Sequence, residues 1–360
     1  MSRNQTHYYL ALHQITSLGP VNWQRLIDYF PDVEAAWQAP AAELRQVIGP
    51  RLAELVAEQR LRIDPAAELE KINRAGVLVT TLQDADYPRL LKEIYAPPPL
   101  LYYRGSLPGE TELLLAVVGS RMTSSYGRQV TEQLVSAIAA AGCTIVSGLA
   151  LGIDGLAHQT TLRAGGKTIA VLGSGLDRVY PTANQSLAHQ IIERGGALVS
   201  EFPLGTLPLK FNFPIRNRTI AGLCAGVLVT EARERSGALI TAAHALEQNR
   251  EVLAVPSDVT RPNGGGANQL LKAGARVVTE PSDVFELFGI QPADEPAVAV
   301  ELQNETEKTL WQLLNRQPIH VDKLVQLARL DISTVSAALL VMEVRGLVRN
   351  VGDQQYCRRY

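Results

Sequence analysis

The chain reads as an α/β protein on a doubly wound, mostly parallel sheet, with a small helical bundle before it and a winged helix after it. Three observations predict this. Between residues 66 and 289, apolar runs of five to seven residues alternate with helical stretches. These runs are continuously apolar instead of alternating, which marks strands covered on both faces. On either side of this segment, apolar residues recur at helical spacing instead.

Residues 1–65 carry the first helical pattern. Leu10, Leu12, Ile15 and Leu18 lead into Val21, Trp23, Leu26, Ile27 and Phe30, broken at Gly19-Pro20. Leu44, Val47, Ile48, Leu52, Leu55 and Val56 repeat the pattern around Gly49-Pro50. Paired helix-turn-helix units of this kind predict a small bundle of the SAM or helix-hairpin-helix type. Such bundles grip a nucleic-acid backbone in some proteins and only pack in others; packing is the simpler reading, because fold alone does not fix function.

Residues 75–106 form a lead-in of short strands and a helix. The main strands follow as LLLAVVG (113–119), TIVSGLA (144–150), KTIAVLG (167–173), ALVSEF (197–202), GVLVTEA (226–232), EVLAVP (251–256) and RVVTE (276–280). Residues 290–303 are proline-rich and acidic, as in a linker. In 304–360, helices over Glu305–Arg316, Val321–Arg329 and Ile332–Arg345 precede a hairpin turning at Gly352-Asp353, which together spell a winged helix. Its third helix is poor in the basic residues that groove reading uses. DNA contact and protein contact therefore stand level for this domain.

Composition narrows the function. With 34 basic and 36 acidic side chains, the net charge of −2 does not announce a polyanion binder, so any such site must come from local clustering. Cys143, Cys224 and Cys357 form no CxxC pair and read as reduced thiols. The six histidines form no ligand pattern, so no metal centre is expected. Neither a signal peptide nor an apolar run near the roughly 20 residues of a membrane span is present, which predicts a cytoplasmic protein without membrane contact.

Ligands of open parallel sheets bind beyond the carboxyl ends of the strands. There the first main strand supplies Gly119, Ser120 and Arg121, and the second supplies Ser147, Gly148 and Gly152 before a helix capped by Asp154. FNFPIRNR (211–218) adds Phe211, Phe213, Arg216, Asn217 and Arg218, and the next strand adds Glu231, Arg233, Arg235, Ser236 and Gly237. Glycines, hydroxyls, helix amides and arginines are the apparatus of phosphate binding. Pro214 suits a first helical position, which puts Arg216–Arg218 in an opening turn where cations work against the helix dipole unless an anion completes the site. Alternatively, an arginine pairs with Glu201 or Glu231 to staple loops. Arg218 is assigned that structural role and Arg121 faces the ligand, while Arg216 stays undecided. Aromatics beside Lys210 suit a strand of bases on a phosphate track, with Phe211 packing and Phe213 stacking.

Other chemistries find no footing. GGKT (165–168) lacks the P-loop's first glycine, and GSG (173–175) does not extend to GxGxxG, so no nicotinamide or flavin cofactor is expected. Ser120, Ser147 and Ser236 lie in glycine turns without a placed histidine, so no catalytic residue is assigned.

VGSR (118–121), SGLALGIDGLAH (147–158), GGKTIAVLGSGLDRVYP (165–181), SEFPLGTLPLKFNFPIRNRTIAGL (200–223) and EARERSGALITA (231–242) together resemble the DNA-processing protein A family (DprA, also called Smf). The resemblance implies an extended Rossmann-like domain that dimerises and has no established enzymatic activity. It implies a mediator that binds single-stranded DNA, acts against single-strand-binding protein and loads RecA recombinase during natural transformation. It puts Arg121, Lys210 and Phe213 on the DNA path, with backbone amides around Gly119, Ser120, Ser147 and Gly148 meeting phosphates. It puts dimer contacts near Asn268, Leu270, Leu271 and Val277. Two departures bear on affinity: Leu151 stands where many relatives are basic, and residues 259–266 (VTRPNGGG) replace a charged loop. The rival readings are a hydrolase or sensor of nucleotide derivatives, using Glu201 and Glu231 as acid or base, and a winged-helix transcription factor. The GGxGTxxE motif of phosphoribohydrolases is missing.

Overall fold

A computed structural model of the chain describes residues 5–291, 302–315, 318–352 and 354–358. The chain divides into two compact units, Met1–Pro292 and Ala293–Tyr360. The 290–303 linker expectation falls largely on residues outside the described ones, as does Asp353 of the expected turn.

The first unit opens with α1 (Thr6–His13), α2 (Gly19–Tyr29), α3 (Val33–Gln38), α4 (Ala41–Ile48), α5 (Pro50–Arg60) and α6 (Pro65–Arg74). Pro20 and Pro50 occupy the opening turns of α2 and α5, where a missing N–H costs nothing. Gly19 and Gly49 precede them at φ of 61° and 79°, a backbone that disfavours any side chain. Asp32 and Asp64 cap α3 and α6 by accepting from Ala35 N and Ala66 N. The helices do not form a separate core. Leu10, Leu26 and Leu44 share one apolar cluster with Leu100, Tyr102, Leu172 and Leu198 of the sheet.

The α/β part runs β1 (Leu78–Thr81), α7 (Arg89–Lys92), β2 (Leu100–Gly105), β3 (Leu114–Gly119), α8 (Ser125–Ala140), β4 (Thr144–Ser147), α9 (Ile153–Arg163), β5 (Thr168–Leu172), α10 (Gln185–Glu193), β6 (Ala197–Ser200), α11 (Asn212–Leu223), β7 (Gly226–Glu231), α12 (Gly237–Glu247), β8 (Glu251–Ala254), α13 (Gly265–Lys272), β9 (Arg276–Val277) and α14 (Pro281–Phe288). The nine strands are ordered β1-β2-β6-β5-β4-β3-β7-β8-β9. Strands β3 to β9 are mutually parallel, and β2 is antiparallel to both β1 and β6. Every residue of β4, β5 and β6 is buried, as continuous apolar runs require. Val118, Val146, Val171 and Val229 pack one face toward Ile220 of α11 and Ala242 of α12. Leu115, Val117, Ile145 and Leu228 pack the other toward Leu134 and Ile138 of α8.

From β3 the chain winds outward through β4, β5 and β6, then returns to place β7 on the other side of β3. The loops leaving β3 and β7 therefore part company, and a crevice opens between them.

The second unit contains α15 (Glu305–Leu313), β10 (Ile319–His320), α16 (Val321–Ala328), α17 (Ile332–Val344), β11 (Val348–Asn350) and β12 (Gln355–Arg358), with its strands ordered β10-β12-β11. Leu310, Leu324, Val335, Leu339, Met342 and Val348 form its core, the arrangement of a winged helix. Among the described residues, no single helix is long and apolar enough to cross a membrane.

Candidate functional site

A cleft of about 510 Å³ occupies the crevice beyond β3 and β7, lined among others by Arg121, Lys210, Phe213, Arg235 and Gly237. Its floor depends on Gly119. A Cβ there would lie 2.6 Å from Ile153 Cγ1 and 2.7 Å from the Glu231 carbonyl, so a side chain would push β3, β7 and α9 apart. Ser120 shapes the next turn: its N–H donates to Glu231 O (2.8 Å) and its hydroxyl to Met122 O (3.0 Å). Arg121 and Met122 are thereby exposed at the rim.

The arginine cluster splits by burial. Helix α11 starts at Asn212, so Pro214 is its third residue and not its first, and Arg216 falls in the second turn. Arg216 is only 5% exposed and donates to Gly148 O (2.5 Å), Val171 O (2.7 Å) and Asn217 Oδ1 (3.1 Å). Gly148 leaves the space for it, since a Cβ would sit 2.5 Å from the guanidinium carbon. Asp154 Oδ2 accepts from Gly148 N (3.1 Å). Burial pushes the Asp154 carboxyl up, opposed by Arg216; burial brings Arg216 down to about 10, opposed by Asp154. Each charge offsets part of the other's desolvation. Arg216 therefore supports the rim from beneath. Its Nε and Nη1 donate to protein acceptors, so the arginine left undecided by the sequence serves the fold while also lining the cleft.

Two further assignments change, those of the Ser147–Gly148 pair and of Phe211, while that of Arg218 holds. The Ser147 hydroxyl is fully buried and donates to Val117 O (2.6 Å), and Gly148 has given its N–H to Asp154 and its carbonyl to Arg216, so neither offers a phosphate contact. Arg218 donates to Ala96 O (2.6 Å) and Tyr95 O (3.3 Å) and pairs with Glu201 (3.4 Å), the loop-stapling role and not a DNA contact. Phe211 does not pack; it is 65% exposed. Asn217 lines the cleft and donates to Gly237 O (3.2 Å), tying α11 to the start of α12.

What faces the cleft is a smaller set. Arg121, Lys210 and Arg235 are exposed and have no hydrogen-bond or ion-pair partner among the described residues. Arg233 donates to Asn263 Oδ1 (2.5 Å). Ser236 caps α12 by accepting from Ala238 N (3.3 Å), and Gly237 begins that helix at the surface. Phe213 is half-buried, with the Arg121 guanidinium 5.5 Å and that of Arg216 5.8 Å from its ring centre. Tyr180, which sequence reasoning passed over, stands 6.0 Å from Phe213 between ring centres. It lies in an irregular turn after β5, where no periodicity singles it out.

Both carboxylates of the hydrolase reading are otherwise engaged. Glu231 accepts from Ser124 N (3.0 Å) and Ser124 Oγ (2.5 Å) at the head of α8. Glu201 accepts from Thr219 Oγ1 (2.5 Å) and Arg218, while burial pushes its carboxyl up. Neither lines the cleft. At the far edge of the sheet, Asn268 bonds both backbone groups of Ser257 (3.0 and 2.9 Å), Leu270 and Leu271 are half-buried, and Val277 is 54% exposed on β9.

The sequence pattern described as DNA recombination-mediator protein A matches residues 78–289, and that of the DprA winged helix domain matches residues 291–354. The chain is 36% identical to Protein Smf of Synechocystis sp. across the whole of both sequences. It superposes on the structure of DNA processing protein A from Streptococcus pneumoniae with a TM-score of 0.70 and 36% identity, covering 78% of this chain and 97% of that one. For DNA processing protein A from Helicobacter pylori, whose structure is described in terms of its single-stranded DNA binding mode, the TM-score is 0.51 with 29% identity, over 58% of this chain and 95% of that one.

Proposed function

This chain belongs to the DNA recombination-mediator protein A family, and from that premise we propose that it binds single-stranded DNA in the cleft between β3 and β7. The observation that carries this reading is the set of cations without hydrogen-bond or ion-pair partners among the described residues, Arg121, Lys210 and Arg235, that line one cleft with Phe213, Arg121 lying over its ring. Cations left without hydrogen-bond or ion-pair partners are free to neutralise phosphates, and the amide of Gly237 adds a donor at a helix start, whereas the Ser120 N–H is already given to Glu231 O. The ring offers a π-face that every base can use, so binding is tolerant of sequence. The described binding mode of the Helicobacter pylori relative supports the same ligand.

A strand held by its backbone and a stacked base can be passed on to a recombinase. The chain accordingly loads RecA, competes with single-strand-binding protein on the same DNA and serves natural transformation or a related recombination task. This work is done by binding, without a catalytic step; the engagement of Glu201 and Glu231 in loop and helix contacts supports that. Pairing of two copies runs through the β9 edge, where Val277 is exposed beside Leu270 and Leu271, with Asn268 holding the loop that precedes them.

The test is a salt titration of binding to a labelled oligothymidine and to the same sequence annealed as duplex. Single-strand preference is expected, with log affinity falling about 0.7 per phosphate neutralised against log salt. A duplex preference, or no binding, overturns the reading.

A further inference from the structure

Resting on that reading, we propose that Tyr180 is a second stacking platform beside Phe213, so that the mouth of the cleft holds two successive bases. Tyr180 follows β5 on the same rim; the residue is 47% exposed, and its ring is tilted 34° to Phe213 at 6.0 Å. A base inserted between two rings needs about 7 Å, twice an aromatic contact distance. The two rings are therefore too close to sandwich a base, and instead form adjoining steps of one shelf.

The shelf is fixed although it is exposed. Asn184 Nδ2 donates to Leu149 O (2.8 Å) and Ala150 O (3.2 Å), pinning the turn after Tyr180 to the loop after β4. Ser174 Oγ donates to Arg178 O (2.7 Å) and pins the segment before it. The Tyr180 hydroxyl has no partner among the described residues, so the fold makes no polar use of this side chain. A ring held in place before the ligand arrives loses little freedom on binding.

Polarity separates this end of the cleft from the other. A small recess here is lined by Leu151, Tyr180, Pro181 and Phe213 together with Arg121 and the buried Arg216. Leu151 is 50% exposed. Lys210, Arg233 and Arg235 line the cleft beyond Phe213. Exposed ring and leucine surface at one end, next to exposed Lys210, Arg233 and Arg235 at the other, places bases on the Tyr180 side and phosphates on the Lys210 side. Leu151, exposed in the same recess, becomes part of the base-facing surface.

The experiment uses the full chain and labelled oligothymidine across a salt series, comparing wild type, Tyr180→Ala, Tyr180→Phe and Tyr180→Trp, with Lys210→Ala as the electrostatic control. Tyr180→Ala is expected to weaken binding about tenfold with the salt slope unchanged, in the range of one lost stacked base. Tyr180→Phe should bind as wild type, and Tyr180→Trp should show quenching on binding beyond that of Trp23, Trp37 and Trp311. Loss on Lys210→Ala with Tyr180→Ala still within twofold of wild type overturns the platform and leaves the site reading standing. The platform also falls if Tyr180→Trp shows no added quenching. Failure of wild type to bind the oligothymidine overturns both.

Discussion

Phe213 lies between two guanidiniums with opposite duties. Arg121 reaches it from the exposed rim, and Arg216 from beneath, with its Nη1 donating to Gly148 O and Val171 O. Substituting them should therefore move different measurements. Arg121→Ala should lower affinity for all sequences alike and reduce the salt slope by about 0.7, leaving the unfolding midpoint in place. Phe213→Ala should lose about 1–3 kcal/mol of binding with an unchanged slope. Arg216→Met leaves Asp154 buried without its counter-charge and should cost about 3–5 kcal/mol of folding stability, read by urea unfolding. An unchanged midpoint for Arg216→Met would show that the buried network does not support the rim. The arginine cluster was plain in the sequence, but this division of labour was not. It depends on a missing Cβ at Gly148, a residue far along the chain from Arg216, and on α11 starting before Pro214.

Helix α9 carries a second consequence of the same network. His158 is fully buried, with Nδ1 2.7 Å from Thr168 Oγ1. Thr168 Oγ1 already donates to Ile145 O (2.7 Å), so the imidazole donates from Nδ1 and leaves Nε2 bare and without a partner. Burial, with Arg216 nearby, holds the ring down to about 3. The unfolded chain takes up this proton near pH 6.5, whereas the folded chain refuses it until about 3. The unfolded state binds more protons across that window, so stability is full above about 6.5 and falls as pH drops, by up to about 1.4 kcal/mol per unit from this one group. Urea unfolding at pH 7.5, 6 and 5 should show this slope, and His158→Gln should remove that share of it. An identical slope in the variant would assign the pH dependence to other groups. The strands around His158 were legible because burial on both faces leaves no polar alternation. That the N-terminal helices share the sheet's core was not legible, since their own periodicity is satisfied equally by a separate bundle.

At the scale of the molecule, a chain of net charge −2 gathers three cations without hydrogen-bond or ion-pair partners among the described residues, Arg121, Lys210 and Arg235, at one crevice. The order of bundle, sheet and winged helix was readable from changes in apolar period. The crevice was readable too, because strand ends in an open parallel sheet converge on one edge. The open question of the winged helix, DNA or protein contact, now has a physical lean. Helix α17 carries no Lys, Arg or His from Ile332 to Val344, and it exposes Ile332, Leu340 and Val344. A helix with that surface releases no counterions and reads no base edge. A chain ending at residue 291 should therefore keep its affinity for oligothymidine within about threefold and its salt slope unchanged, because no phosphate contact is removed. The truncated and full chains should be compared at several salt concentrations, so that contact number and affinity are read separately. A slope shallower by one contact or more would place the winged helix on the DNA. An unchanged slope assigns the whole electrostatic contact to the β3–β7 crevice and leaves the apolar side of α17 to a protein partner.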